Sequence, residues 1–150
     1  MTKVLQCSTR GCALGKKFSA FNAIVTFNGK TCSIEQHYQE SKLINGKQLP
    51  MKEAKGKKID GFMFRGYKLG PELMTSFYYY LWAVYYDNNK DLVNKARQFD
   101  KFEDMFRGKS INCQADTIQL WLTDQKAYVA KIKPLADKYT SLIQVWFNIK

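Results

Sequence analysis

The polar and apolar positions change period several times along the chain. Residues 23–27, "AIVTF", alternate and are rich in β-branched side chains, which predicts a strand. Asn28-Gly29 at its end predicts a tight turn, with Lys30 to Cys32 pairing back as a hairpin. A short strand is also expected over 3–7, and "RGCALGKKFSAF" (10–21) is a glycine-punctuated loop. "SIEQHYQESK" (33–42) then takes up the helical period, with Ser33 as N-cap and Glu35 in the first turn. Asn45-Gly46 is the expected helix stop. Pro50 is placed to open a short helix, and "IDGFMFRGYKLG" (59–70) is a loop with some strand character.

From Pro71 the pattern is helical. "PELMTSFYYYLWAVYY" (71–86) is apolar nearly all round, the mark of a central buried helix. Leu92, Ala96, Phe99, Phe102 and Phe106 are spaced for a second helix over 90–106 that faces it. A third is expected from about Asp116, interrupted at Pro134, and "YTSLIQVWF" (139–147) is ambiguous between helix and strand. The fold class expected is α+β, a mainly helical single domain over 1–150 with a small N-terminal β-sheet.

Within 33–42, Glu35, Gln39 and Lys42 fall within about 60° of one another on a helical wheel, hemmed in by Ile34, Tyr38 and Leu43. Such a stripe is either a salt-bridged surface or the wall of a pocket. Glu35 and Lys42 stand seven positions apart, too far for an ordinary helical support pair, which favours the pocket. In a pocket, a desolvated lysine becomes a nucleophilic amine, a nearby glutamate moves protons, and Gln39 orients a hydroxyl. His37, the only histidine, points to the opposite side of this helix and is expected to be structural or exposed.

Composition narrows the partners. With 45% hydrophobic and 15% aromatic residues the chain has the makings of a packed core, so disorder is not expected. It contains no apolar run of about eighteen residues, and "MTKVLQCSTRGCALGKK" lacks a signal-peptide core, so a cytoplasmic location without membrane contact is expected. A net charge of +11 favours anionic partners, whether nucleic acid or phosphorylated small molecules. The modest lysine cluster over 52–58 is more often a solvated face than a phosphate site. Four cysteines without a CxxC are most simply free thiols. A zinc site from Cys7, Cys12, Cys32 and His37 would need the loose end of the usual ligand spacing.

"FSAFNAIVTFNGKTCSIEQHYQESK" (18–42) resembles the opening block of the NADAR domain, the YbiA-like proteins of NAD and ADP-ribose metabolism. The matching positions are Phe18, Ser19, Phe21, Gly29, Lys30, Glu35, Tyr38, Gln39 and Lys42. "PMKEAKG" (50–56) and the helix over 77–96 continue the resemblance, which covers about 18–125. Ala20 stands where the family has Asn, and Asn28 where it has Asp. In place of a C-terminal Trp-Gly-x-Gly block the chain has "INCQADTIQLW" (111–121), which points to a divergent branch. The resemblance implies an N-glycosidase acting on a ribosylated base, either a phosphoribosylamino-pyrimidine or ADP-ribosylated guanine. Lys42 would be the nucleophile and Glu35 the acid/base. Gln39, Tyr38, Phe18, Ser19 and Phe21 would line the substrate, with Arg10, Lys16 and Lys17 as phosphate contacts. No cofactor or metal is required by this chemistry. The partner implied is a phosphorylated ribose compound or ADP-ribosylated nucleic acid. The alternatives are a non-catalytic binder of ADP-ribose-like nucleotides and a basic nucleic-acid-binding module with exposed aromatics.

Overall fold

A computed structural model of the protein describes residues 2–104 and 113–138. Strand β1 (Val4–Gln6) leads to the short helix α1 (Ala13–Lys16), whose first turn is capped by the Cys12 sulfur. Strands β2 (Ile24–Phe27) and β3 (Lys30–Ser33) form the expected hairpin, with Phe27 opposite Lys30. Asn28 (φ 53°) and Gly29 (φ 79°) both take the left-handed conformation that a two-residue primed turn demands. Helix α2 (Ile34–Ser41) starts where the sequence predicts, its Gln36 amide donating to the Ser33 hydroxyl at 3.1 Å.

This helix ends sooner than expected. Lys42 is extended (φ −61°, ψ 142°) and begins β4 (Lys42–Ile44). Asn45 and Gly46, at φ 52° and 77°, therefore cap no helix; they turn the chain into β5 (Lys47–Gln48). Helix α3 (Met51–Ala54) follows Pro50. The segment expected to be mostly loop is a third hairpin, β6 (Gly61–Phe64) and β7 (Tyr67–Leu69), turning on Arg65-Gly66. These strands form one antiparallel sheet in the order β5-β4-β6-β7. Lys42 and Leu43 pair with Phe62 and Gly61 in it, and that distant partner overrides the local helical period.

Pro71 opens a single 3₁₀ turn (Pro71–Leu73) before α4 (Met74–Asn88), and α4 is the predicted central helix. Leu81, Trp82 and Ala83 are fully buried within it. The expected helix over 90–106 is only α5 (Lys90–Ala96). Beyond it Lys101–Glu103 form β8, parallel to β1, with Val4 opposite Lys101. The backbone amides of Asp100 and Lys101 both donate to the Lys3 carbonyl, so pairing with the N-terminal strand takes this segment out of the helix. Phe106 lies outside the described residues.

Helices α6 (Gln114–Thr123) and α7 (Gln125–Lys138) complete the described chain. Pro134 lies inside α7 and does not end it, because the fully buried Ile132 and Leu135 on either side hold that turn in the core. Residues 139–147 lie outside the described residues. The α+β, mainly helical architecture is as expected, but the strands are spread along the chain in three small sheets instead of one at its N-terminal end. Helix α4 is covered by α7, α6, α2 and β2, which places α2 and its polar stripe directly on the core. Among the described residues no helix is long and apolar enough to cross a membrane.

Candidate functional site

Glu35 and Gln39 are only 8% and 7% exposed, so they do not form a hydrated surface. The Gln39 Nε2 donates to Glu35 Oε2 at 3.1 Å. That bond fixes the amide, since an ionised carboxylate accepts and does not donate. It leaves Gln39 Oε1 buried with no hydrogen-bond partner among the described residues. A buried acceptor of this kind is uncommon in a settled core and marks a place where a ligand donor fits.

Lys42 is half-buried, and its amine makes no hydrogen bond or ion pair among the described residues. The Nζ sits 5.3 Å from the centre of the Tyr38 ring. That ring is steadied in turn by an edge contact with Tyr78, centroids 5.2 Å apart. Burial pushes the Lys42 pKa down from the ordinary lysine value; the Glu35 charge offsets part of this, and the Lys55 charge adds to it. The end of α2 and the start of β4 thus meet at an amine that loses its proton more readily than a surface lysine does.

The wall behind Glu35 is built from far along the chain. The Glu35 amide donates to the Ala20 carbonyl at 2.9 Å. The Ala20 amide donates to Gln114 Oε1 at 2.5 Å, and Gln114 Nε2 donates to the Cys7 carbonyl at 2.7 Å. Ala20 therefore acts here through its backbone. Phe18 is fully buried against Tyr86, and the buried Ser19 hydroxyl accepts from the Phe21 amide at 3.3 Å. Both shape the loop from within. Phe21 alone of the four faces solvent, at 43% exposed, with the Lys55 Nζ 5.0 Å from its ring centre. Sequence patterning misses Lys55 and Gln114: one looks like part of a solvated cluster, the other lies just before the helix expected from Asp116.

Arg10, Lys16 and Lys17 are exposed, and their side chains make no hydrogen bond or ion pair among the described residues. The Lys17 carbonyl accepts from Tyr85, which anchors the backbone and leaves the side chain outward. His37 is structural. It is buried, its Nε2 lies 2.9 Å from the Val25 carbonyl, and burial lowers its pKa. Among the described residues no group of three or more His, Cys, Asp and Glu side chains could hold a metal, and Cys7, Cys12, Cys32 and Cys113 are free thiols. A separate cavity of about 300 Å³ opens on the far side of α2, among Lys30, His37, Glu40, Ser41, Gln48 and Arg65. It shares no residue with the Glu35 stripe, and its Lys30 is committed to Glu40 at 2.8 Å.

A family profile described as the DarT1-associated NADAR antitoxin matches residues 1–145. The match takes in β1 and α1 as well as the stretch around Gln114, so the departure at 111–121 falls inside the matched family. No curated protein matches the chain.

Proposed function

The chain belongs to the DarT1-associated NADAR antitoxin family, and on that premise we propose that it is an N-glycosidase removing ADP-ribose from modified guanine in nucleic acid. The observation that carries this reading is the half-buried Lys42 amine, without a hydrogen bond or ion pair among the described residues and within reach of the Glu35 charge, at the end of the helix that carries the Glu35–Gln39 pair. The net charge of +11 suits a nucleic-acid substrate, and the DarT1 association in the family's description is compatible with a nucleic acid that carries ADP-ribose. In this reading the protein reverses that modification in the cytoplasm.

The chemistry follows from the three side chains. Lys42 passes its extra proton to Glu35, and the free amine attacks the anomeric carbon of the ribose. The new C–N bond to Nζ forms as the bond to the guanine nitrogen breaks, and Glu35 returns the proton to the leaving base. The amino-sugar then loses a proton to Glu35 and opens; its ring oxygen takes that proton, leaving an imine on Lys42. Water hydrolyses the imine, releasing ADP-ribose and regenerating the amine. Gln39 Oε1, the acceptor without a partner among the described residues, receives a ribose hydroxyl and aims the sugar.

Borohydride added during turnover should trap a reduced adduct that peptide mapping locates on Lys42. Full turnover by Lys42→Ala would end the proposal. Glu35→Gln keeps shape and hydrogen-bonding reach but cannot exchange protons, so turnover should fall by about 10²–10⁴-fold while ligand affinity stays within a few-fold. A wild-type protein that binds ADP-ribose but cleaves no ribosylated substrate would make it a nucleotide binder instead.

A further inference from the structure

Phe21 is an exposed ring directly after the buried Phe18, Ser19 and Ala20, and Ala20 is the residue whose carbonyl holds Glu35. Lys55 reaches it from a different segment, Nζ to ring centre 5.0 Å. The position of Lys55 is set by the fold. Glu40 on α2 accepts the Met51 amide at 3.1 Å, docking α3 against α2. The Lys55 amide closes α3 on the Met51 carbonyl, and Gly56, at φ 79°, turns the chain away at once. Among the described residues Lys55 has no carboxylate partner. Its charge is nonetheless felt at Lys42, where it opposes a second ammonium. Among the described residues, the charges felt at Lys42 are therefore the Glu35 carboxylate and the Lys55 ammonium.

We propose that Phe21 and Lys55 form a nucleotide-binding rim on this site, Lys55 pairing with a substrate phosphate while the Phe21 ring stacks on the base attached to it. The cation–π contact is weak at an exposed position and is readily exchanged for a charge-assisted contact to phosphate. The aromatic face it releases suits any base. Two nucleotides carry this chemistry: the adenosine diphosphate portion of ADP-ribose itself, and a neighbouring nucleotide of the strand that bears the modification. The choice of substrate rests on the glycosidase reading above, but the rim is testable by binding alone.

Calorimetric titration with ADP-ribose, and separately with an unmodified single-stranded DNA oligonucleotide, distinguishes the two sources. Lys55→Gln should weaken binding of at least one probe by roughly tenfold. Phe21→Ala should weaken the same probe by at least about fivefold. Lys55→Arg and Phe21→Tyr, which keep the charge and the ring, should bind within about twofold of wild type. A loss confined to ADP-ribose assigns the rim to its diphosphate, and a loss confined to the oligonucleotide assigns it to the strand. Unchanged binding of both probes by Lys55→Gln and Phe21→Ala overturns the proposal, as does a wild-type protein that binds neither. A wild-type protein that binds in this way yet cleaves nothing sinks the glycosidase reading and leaves the rim standing.

Discussion

His37 faces the core from α2, and burial pulls its pKa below the ordinary value of about 6.5. The Val25 carbonyl opposes that shift, Lys30 adds to it, and Glu40 opposes it. Between the lowered folded value and about 6.5, the unfolded chain binds a proton that the folded chain refuses. This contribution to stability is therefore complete above about pH 6.5 and is lost as pH falls through the folded value. The urea midpoint of the wild type should drop from about pH 7.5 to about pH 5 by more than that of His37→Gln, which still donates to Val25 but does not titrate. Parallel profiles would show that another group sets the acid sensitivity. At this scale the sequence carries much of the site. The apolar residues around Glu35 and Gln39 betray their burial. What they cannot betray is that Gln39 Oε1 stays without a partner among the described residues, or the reach of Lys55, which depends on α3 docking against α2.

The elements around the site show why local patterns succeed at some ends and not at others. Ser33 is legible as an N-cap because the hydroxyl and the amide it accepts lie three residues apart. Ser33→Ala should cost about 1 kcal/mol in chemical denaturation, and Ser33→Asp should recover most of it. An effect under about 0.3 kcal/mol would mean that the Gln36 amide finds another acceptor. The Asn-Gly pairs are less transparent. Asn28-Gly29 and Asn45-Gly46 adopt nearly the same backbone, yet the second is equally good punctuation for a helix. Only pairing with β6 decides between them, and nothing within 33–46 announces it. Arg65-Gly66 hides its turn more fully, since a left-handed arginine (φ 49°) carries no local signal. The start of α2 is thus local information, while the placing of Lys42 on a strand is not.

Across the whole molecule, Gln114 joins the N-terminal segment at Cys7 to the Ala20 loop behind Glu35. Gln114→Met keeps the volume but leaves the Ala20 amide and the Cys7 carbonyl unpartnered, each at a cost of about 1–3 kcal/mol if water cannot reach it. The thermal midpoint should fall, and the rate of borohydride trapping on Lys42 should fall with it at temperatures where the variant is still folded. Trapping at the wild-type rate would show that the clasp stabilises the fold without shaping the site. Neither this clasp nor the parallel pairing of β1 with β8 is legible in the sequence, because both span about a hundred residues and follow no period. That separation also sets an order of events during synthesis. A nascent chain still short of Gln114 already contains Glu35, Gln39 and Lys42, but not the side chain that holds the loop behind them. The loop behind Glu35 is therefore clasped late, by a residue that leaves the ribosome well after Lys42 does. A chain cut short before Gln114 leaves the Ala20 amide and the Cys7 carbonyl without this partner.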